Sequence, residues 1–130
     1  MINARLCTVT LALALLNAPG LLAAPAAEPS GAWLTEGGKA TVRLAPCGPA
    51  LCGTIVALKE PNDPATGRPH TDKNNPDPNA RNKPLIGVQI VLGMRPSGTP
   101  NTWTGQVYNS EDGKTYSGSL SMENANTIKL

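Results

Sequence analysis

This chain of 130 residues has no phenylalanine, a single histidine (His70) and four aromatic residues in all: Trp33, Trp103, Tyr108 and Tyr116. It also lacks a helical stripe, a basic stripe and an apolar run long enough to cross a membrane. Each absence excludes something. With so few aromatic rings to stack bases, and Lys and Arg scattered along the chain, nucleic-acid binding has no support. One histidine and no second Cys pair cannot make a zinc site of about four ligands. The longest apolar run is interrupted by Asn17, Pro19 and Gly20, well short of the roughly 20 residues of a spanning helix, so no membrane span is expected.

What that N-terminal run resembles is a cleaved export signal. Arg5 supplies the positive region, 10–16 the apolar region, and Ala24, Pro25 and Ala26 a small-x-small cleavage site. Cys7 precedes the apolar segment and so does not fit a lipoprotein anchor. The reading divides the chain into a signal peptide, 1–26, and a single domain, 27–130, in a periplasmic or secreted protein. With Arg5 in the signal, the remaining ten basic and nine acidic residues nearly cancel. Loss of Cys7 leaves Cys47 and Cys52, an even pair that in an exported protein reads as a disulfide. Closing so short a loop adds only about 2 kcal/mol in the chain-entropy account. A redox-active pair would be expected at Cys-x-x-Cys spacing on a helix start, whereas Gly48 and Pro49 make a turn here.

The domain reads as all β. Over 39–44, Ala40, Val42 and Leu44 alternate with Lys39, Thr41 and Arg43, the period of a strand with one wet face. Over 115–122, Tyr116, Gly118, Leu120 and Met122 alternate with Thr115, Ser117, Ser119 and Ser121. The spans 31–35, 51–59 and 103–108 read as further strands, 127–130 as one barely begun, and 84–94 as one rich enough in Leu, Ile and Val to be covered on both faces. Gly37-Gly38, Gly48-Pro49, 96–101 and Glu111-Asp112-Gly113-Lys114 supply the turns. Trp103, Gly105 and Val107 repeat the aromatic, Gly, aliphatic order of Tyr116, Gly118 and Leu120, which predicts two facing strands of one hairpin. The glycines mark either a sharp bend or a close ligand approach. About seven short strands in meander order favour a small antiparallel barrel over a sandwich. The chain ends inside an apolar strand, so either it is truncated or the barrel is incompletely closed, with an exposed edge.

In order along the chain, Gly31-Ala-Trp33, Cys47-Gly-Pro-Ala-Leu-Cys52-Gly53-Thr-Ile55-Val56, Thr71-Asp72-Lys-Asn-Asn75-Pro76-Asp77-Pro78, Arg81 through Gly87, and Tyr108-Asn-Ser-Glu-Asp112-Gly113-Lys114-Thr-Tyr116 resemble the bacterial domain of unknown function 2147 family. The resemblance implies a secreted or periplasmic protein with a lipocalin-like barrel and no assigned biochemical activity. Members usually continue with a Cys-containing turn and a closing strand carrying Trp-x-Arg. In lipocalin-like barrels a basic residue of that strand packs on the early Gly-x-Trp. Neither turn nor strand is present here, which would leave Trp33 without that partner, in wetter surroundings.

Function is expected to sit on the loop 60–83, which is long for a structureless connection. Five prolines restrict it, so an ordered excursion is expected. Asp72, Asn74 and Asp77 resemble part of a calcium loop, but Pro76 stands where a ligand is needed and the Gly and distal Glu are missing. Asx turns beside proline account for the same residues. Arg81 is a candidate to pair with Asp72 or Asp77 and pin the loop, or it is a solvated charge. A catalytic triad would have to combine His70 and Asp72 with Ser110 or Ser117, without a nucleophile elbow. Glu111 and Asp112 are better explained by their turn. The chain therefore reads as a non-enzyme without cofactor or metal. The expected function is a binding protein for a small, largely apolar ligand, with Trp103, Tyr108, Tyr116, Asp72, Asn75 and Arg81 as candidate contacts. The alternative is a cell-envelope interaction protein docking a partner through 60–83 or an open edge strand.

Overall fold

The computed structural model describes residues 29–130; the signal-peptide reading of 1–26 lies outside them. Seven strands follow in meander order: β1 (Gly31–Thr35), β2 (Ala40–Cys47), β3 (Ala50–Leu58), β4 (Gln89–Pro96), β5 (Thr102–Asn109), β6 (Lys114–Met122) and β7 (Thr127–Lys129). Two one-turn 3-10 helices, Glu36–Gly38 and Pro78–Ala80, sit in the connections. Sequential strands pair antiparallel, as the meander order predicts, and the sheet curls into a closed barrel.

Closure follows from strand count. In a meander of seven strands the first and last run in the same direction, so β1 and β7 meet as a parallel pair, Leu34↔Thr127 and Thr35↔Ile128. The turn before β7 sets that meeting up. The Asn124 side chain accepts from the backbone N–H groups of Asn126 and Thr127 at 2.8 and 2.9 Å, and Leu34 then donates to the Asn126 carbonyl at 2.9 Å. The barrel is thus closed by β7 itself. Trp33 is half-buried: its indole N–H donates to the Pro29 carbonyl at 2.8 Å, and its ring packs against the core.

The paired hairpin read from the sequence is present, with Trp103 opposite Leu120, Gly105 opposite Gly118 and Val107 opposite Tyr116. Its glycines have different reasons. A Cβ on Gly105 would stand 2.7 Å from the Gly93 carbonyl oxygen, where β4 is bulged and its backbone presses close. A Cβ on Gly118 would instead meet the Val107 side chain, 3.3 Å from its Cγ2. The strand expected over 84–94 is shorter than its apolar run. It begins at Gln89, and 84–88 form a turn in which Gly87 donates to Ile55 and Leu85 to His70, leaving Ile86 exposed. Ile90 and Val91 are both buried.

The disulfide joins Cys47 to Cys52 across the β2–β3 turn. Beside that end of the barrel, Leu44, Leu51, Met94, Trp103 and Leu120 pack into a solid core. Burying each such side chain contributes about 1.5–3 kcal/mol. The opposite end carries Glu36–Gly38, the β5–β6 turn and the loop 60–83, and there the interior is not filled.

Candidate functional site

The interior void at that end is a cavity of about 980 Å³. Ile55, Leu58, Leu85, Ile90 and Val107 form its apolar wall, while Lys39, Lys59, Glu60, His70, Lys73 and Glu111 ring the opening. The division follows from strand alternation: inward positions of β3, β4 and β5 carry aliphatic side chains, and the connecting segments bring the polar ones. Two of the sequence-selected aromatics, Tyr108 and Tyr116, stand in this wall. Trp103 does not, because it sits opposite Leu120 deep in the packed end. Its glycine neighbour Gly105 leaves room that the β4 backbone occupies, not a ligand.

The loop 60–83 is an ordered flap over the opening. Its base is tied by the isolated bridges Asn62↔Pro69 and Thr71↔Pro84. Its centre is Asp72, 2% exposed, whose carboxylate accepts the Tyr108 hydroxyl at 2.6 Å and the Asn75 side-chain amide at 2.7 Å. A buried carboxylate is tolerated only when its oxygens are paired in this way. The Tyr108 hydroxyl is pushed up to about 12, first by burial and then by the hydrogen bond to Asp72 and its charge. Beside it, Asn74 donates to the carbonyls of Ser110 and Glu111 at 3.1 and 2.9 Å, which fastens the flap to the β5–β6 turn. Gly113 permits that seat. Its φ is +71°, and a Cβ there would overlap the Asn74 carbonyl oxygen.

Arg81 does not pair with Asp72 or Asp77. Its Nε donates to the Asn75 carbonyl at 2.7 Å, and Asp72 is already satisfied by Tyr108 and Asn75. Asp77 caps the Pro78–Ala80 turn by accepting the Asn79 N–H at 3.0 Å. Asp72, Asn74 and Asp77 therefore each engage different partners. Asp72 and Asn75, with Lys83, Ile86 and Val88, also edge a smaller outer hollow of about 390 Å³. His70 lines the main cavity, but among the described residues no serine or aspartate side chain bonds to its ring. Asp112 accepts the Lys114 N–H at 2.9 Å and the Tyr116 hydroxyl, and these bonds hold its carboxyl below the usual carboxylate range. The Tyr116 hydroxyl is raised in turn, chiefly by its bond to Asp112. The flap's seat on Tyr108 and Gly113 was not predicted from the sequence. The Asp-Gly turn signal marked the place without revealing what would land on it.

The sequence of 31–130 matches the family described as "uncharacterized protein conserved in bacteria (DUF2147)". The chain belongs to this family. No curated protein matches it. Among solved structures, protein HP1028 from the human pathogen Helicobacter pylori, described as belonging to the lipocalin family, is similar to this family member with a TM-score of 0.53 and 21% identity. The match covers 68% of this chain and 57% of the neighbour, so this DUF2147 chain spans little more than half of that protein's length. At that identity the likeness is one of fold: a lipocalin-like barrel. Among the described residues no helix is long and apolar enough to cross a membrane.

Proposed function

We propose that this chain binds a small, largely apolar molecule in the cavity beneath the flap, and that it does so outside the cytoplasm without catalysing a reaction. The observation that carries the reading is the cavity itself. This hollow of about 980 Å³, half open to solvent and lined mainly by apolar surface, is at the upper end of the roughly 300–1,000 Å³ of small-molecule sites. The lipocalin family assignment of the Helicobacter pylori neighbour is consistent with it. Export is supported by the Cys47–Cys52 disulfide, which oxidising compartments preserve, and by the signal-like 1–26. For absence of catalysis, the supporting observation is that two of the candidate carboxylates are engaged structurally, Asp72 with Tyr108 and Asp112 with its own turn. Native mass spectrometry of the protein purified from its own cell envelope tests the reading. A copurifying mass of a few hundred daltons, lost when Ile90→Trp fills the cavity wall, is the expected result. A protein-only mass from the unaltered chain, together with no uptake of added apolar probes, would sink it.

A further inference from the structure

The Tyr108 hydroxyl has its proton taken and its lone pairs unclaimed. Tyr108 stands in the wall of the main cavity, and its partner Asp72 edges the outer hollow. The phenol proton is committed to the Asp72 carboxylate at 2.6 Å. With that hydroxyl pushed up to about 12, the proton stays there at neutral pH. A phenol can accept a hydrogen bond as well as donate one, yet among the described residues nothing donates to the Tyr108 oxygen. The nearby side-chain amides are turned toward the fold's own acceptors: Asn75 toward Asp72, Asn74 toward the Ser110 and Glu111 carbonyls.

Charge points the same way. Asp72 is 2% exposed and has no cation against it; among the described residues the one ion pair joins Lys73 to Asp63, at 3.8 Å. Arg81 spends its Nε on the Asn75 carbonyl. A carboxylate held only by neutral donors keeps its negative field, which is felt more strongly inside a protein than in water. It also polarises the phenol, making the Tyr108 oxygen a better acceptor. The lysines at the opening do not reverse this. Lys39, Lys59 and Lys73 are exposed there, with Glu60, Glu111 and the Asp63 bound to Lys73 beside them, so the mouth is neutral overall.

We propose that the Tyr108 oxygen is the specificity-determining acceptor of the cavity: it reads a hydroxyl on a neutral, otherwise apolar ligand, and Asp72 behind it turns acids away. This rests on the cavity taking a small apolar molecule and adds which polar group that molecule carries. A hydroxyl brings the donor that the phenol oxygen lacks, at a desolvation cost far below that of an ion. A carboxylate brings only acceptors, and a charge of the same sign as Asp72. An ether brings no donor either. His70, whose ring also lines the cavity and can donate or accept, is the rival reader of a polar group.

Competition against bound Nile red at neutral pH tests this, with decanol, its methyl ether and decanoate as probes of nearly equal length. In the unaltered protein decanol should bind at least about fivefold more tightly than the ether, the scale of one net hydrogen bond, although the ether is the more apolar. Tyr108→Phe should remove that preference. Asp72→Asn should narrow the gap between decanol and decanoate by at least about fivefold. Ratios within one variant do not depend on how much of it is folded, so a weakened flap mimics neither result. An ether bound as tightly as the alcohol by the unaltered protein would overturn the proposal and leave the apolar cavity standing. So would an alcohol preference that survives Tyr108→Phe, which would point to His70, or a decanol–decanoate gap unmoved by Asp72→Asn. Failure of every probe to bind, Nile red included, would overturn both the proposal and the cavity reading beneath it.

Discussion

Asp72 is the residue on which the flap depends, and its partner is a hydroxyl 36 positions away. Removing that hydroxyl by Tyr108→Phe leaves a buried carboxylate one donor short. The expected cost is about 2 kcal/mol, the scale for a hydrogen bond to a charged group, read from urea unfolding at neutral pH. The same bond predicts an alkaline signature. Because the folded Tyr108 hydroxyl titrates near 12 and an unfolded tyrosine near 10, the unfolded chain gives up its proton first. Stability is then level below pH 10 and falls as pH rises from 10 toward 12. Phenolate absorbance should show late titration in the native protein, and Tyr108→Phe should remove the Tyr108 share of it while leaving that of Tyr116. At this scale the sequence was half legible. Asp72 stands out as a candidate, but a carboxylate beside prolines does not disclose which distant group will meet it, and opposite charge pointed to Arg81. In the folded chain the guanidinium stays outside and holds a backbone carbonyl, while the phenol reaches in.

The flap and the β5–β6 hairpin behave as one unit because Asn74 and Gly113 interlock. Gly113→Ala puts a methyl group where the Asn74 carbonyl lies and also strains a backbone at φ +71°. The expected loss is at least about 1 kcal/mol from the backbone preference alone. Exchange of the Asp72 and Asn75 amides should quicken more than that of amides in β2 and β3. The disulfide acts on a different hairpin and should matter less. It bridges strands already in register, Ala45↔Cys52 and Cys47↔Ala50, so reduction is expected to lower stability by about 2 kcal/mol without unfolding the protein, as measured by denaturant titration with and without reductant. The strands were the most legible elements, since alternation along 115–122 and 39–44 is a direct imprint of one wet and one dry face. Residues 84–88 were misread because an apolar run is also what a turn needs when it packs beside a cavity. Leu85 lines that space, and the backbone around it bonds to His70 and Ile55 instead of joining a ladder.

For the whole molecule the decisive feature is how the barrel shuts. The seam consists of two registered pairs, and Ile128, fully buried, is the side chain that anchors it. Ile128→Ala is expected to cost about 2–5 kcal/mol and to lower the melting temperature by well over 5 °C, since 1 kcal/mol shifts a domain of this size by roughly 4–8 °C. Calorimetry checks it. Barrel topology was legible from the meander; closure was not, because a strand of three residues carries too little alternation to show which partner it will find.

That seam has a consequence in time as well. Every other strand pair is joined by a hairpin or, for β3 and β4, by the flap, and can form locally. Leu34 and Thr127 sit at opposite ends of the domain, and their meeting requires all the intervening strands to be in place. Non-local contacts of this kind are made late, after the loop-closure entropy has been overcome. Substitutions at Ile128 and Thr127 should therefore hasten unfolding while leaving the refolding rate nearly unchanged, a pattern that chevron kinetics would display directly. The seam, last to form, would be the first part of the barrel to open.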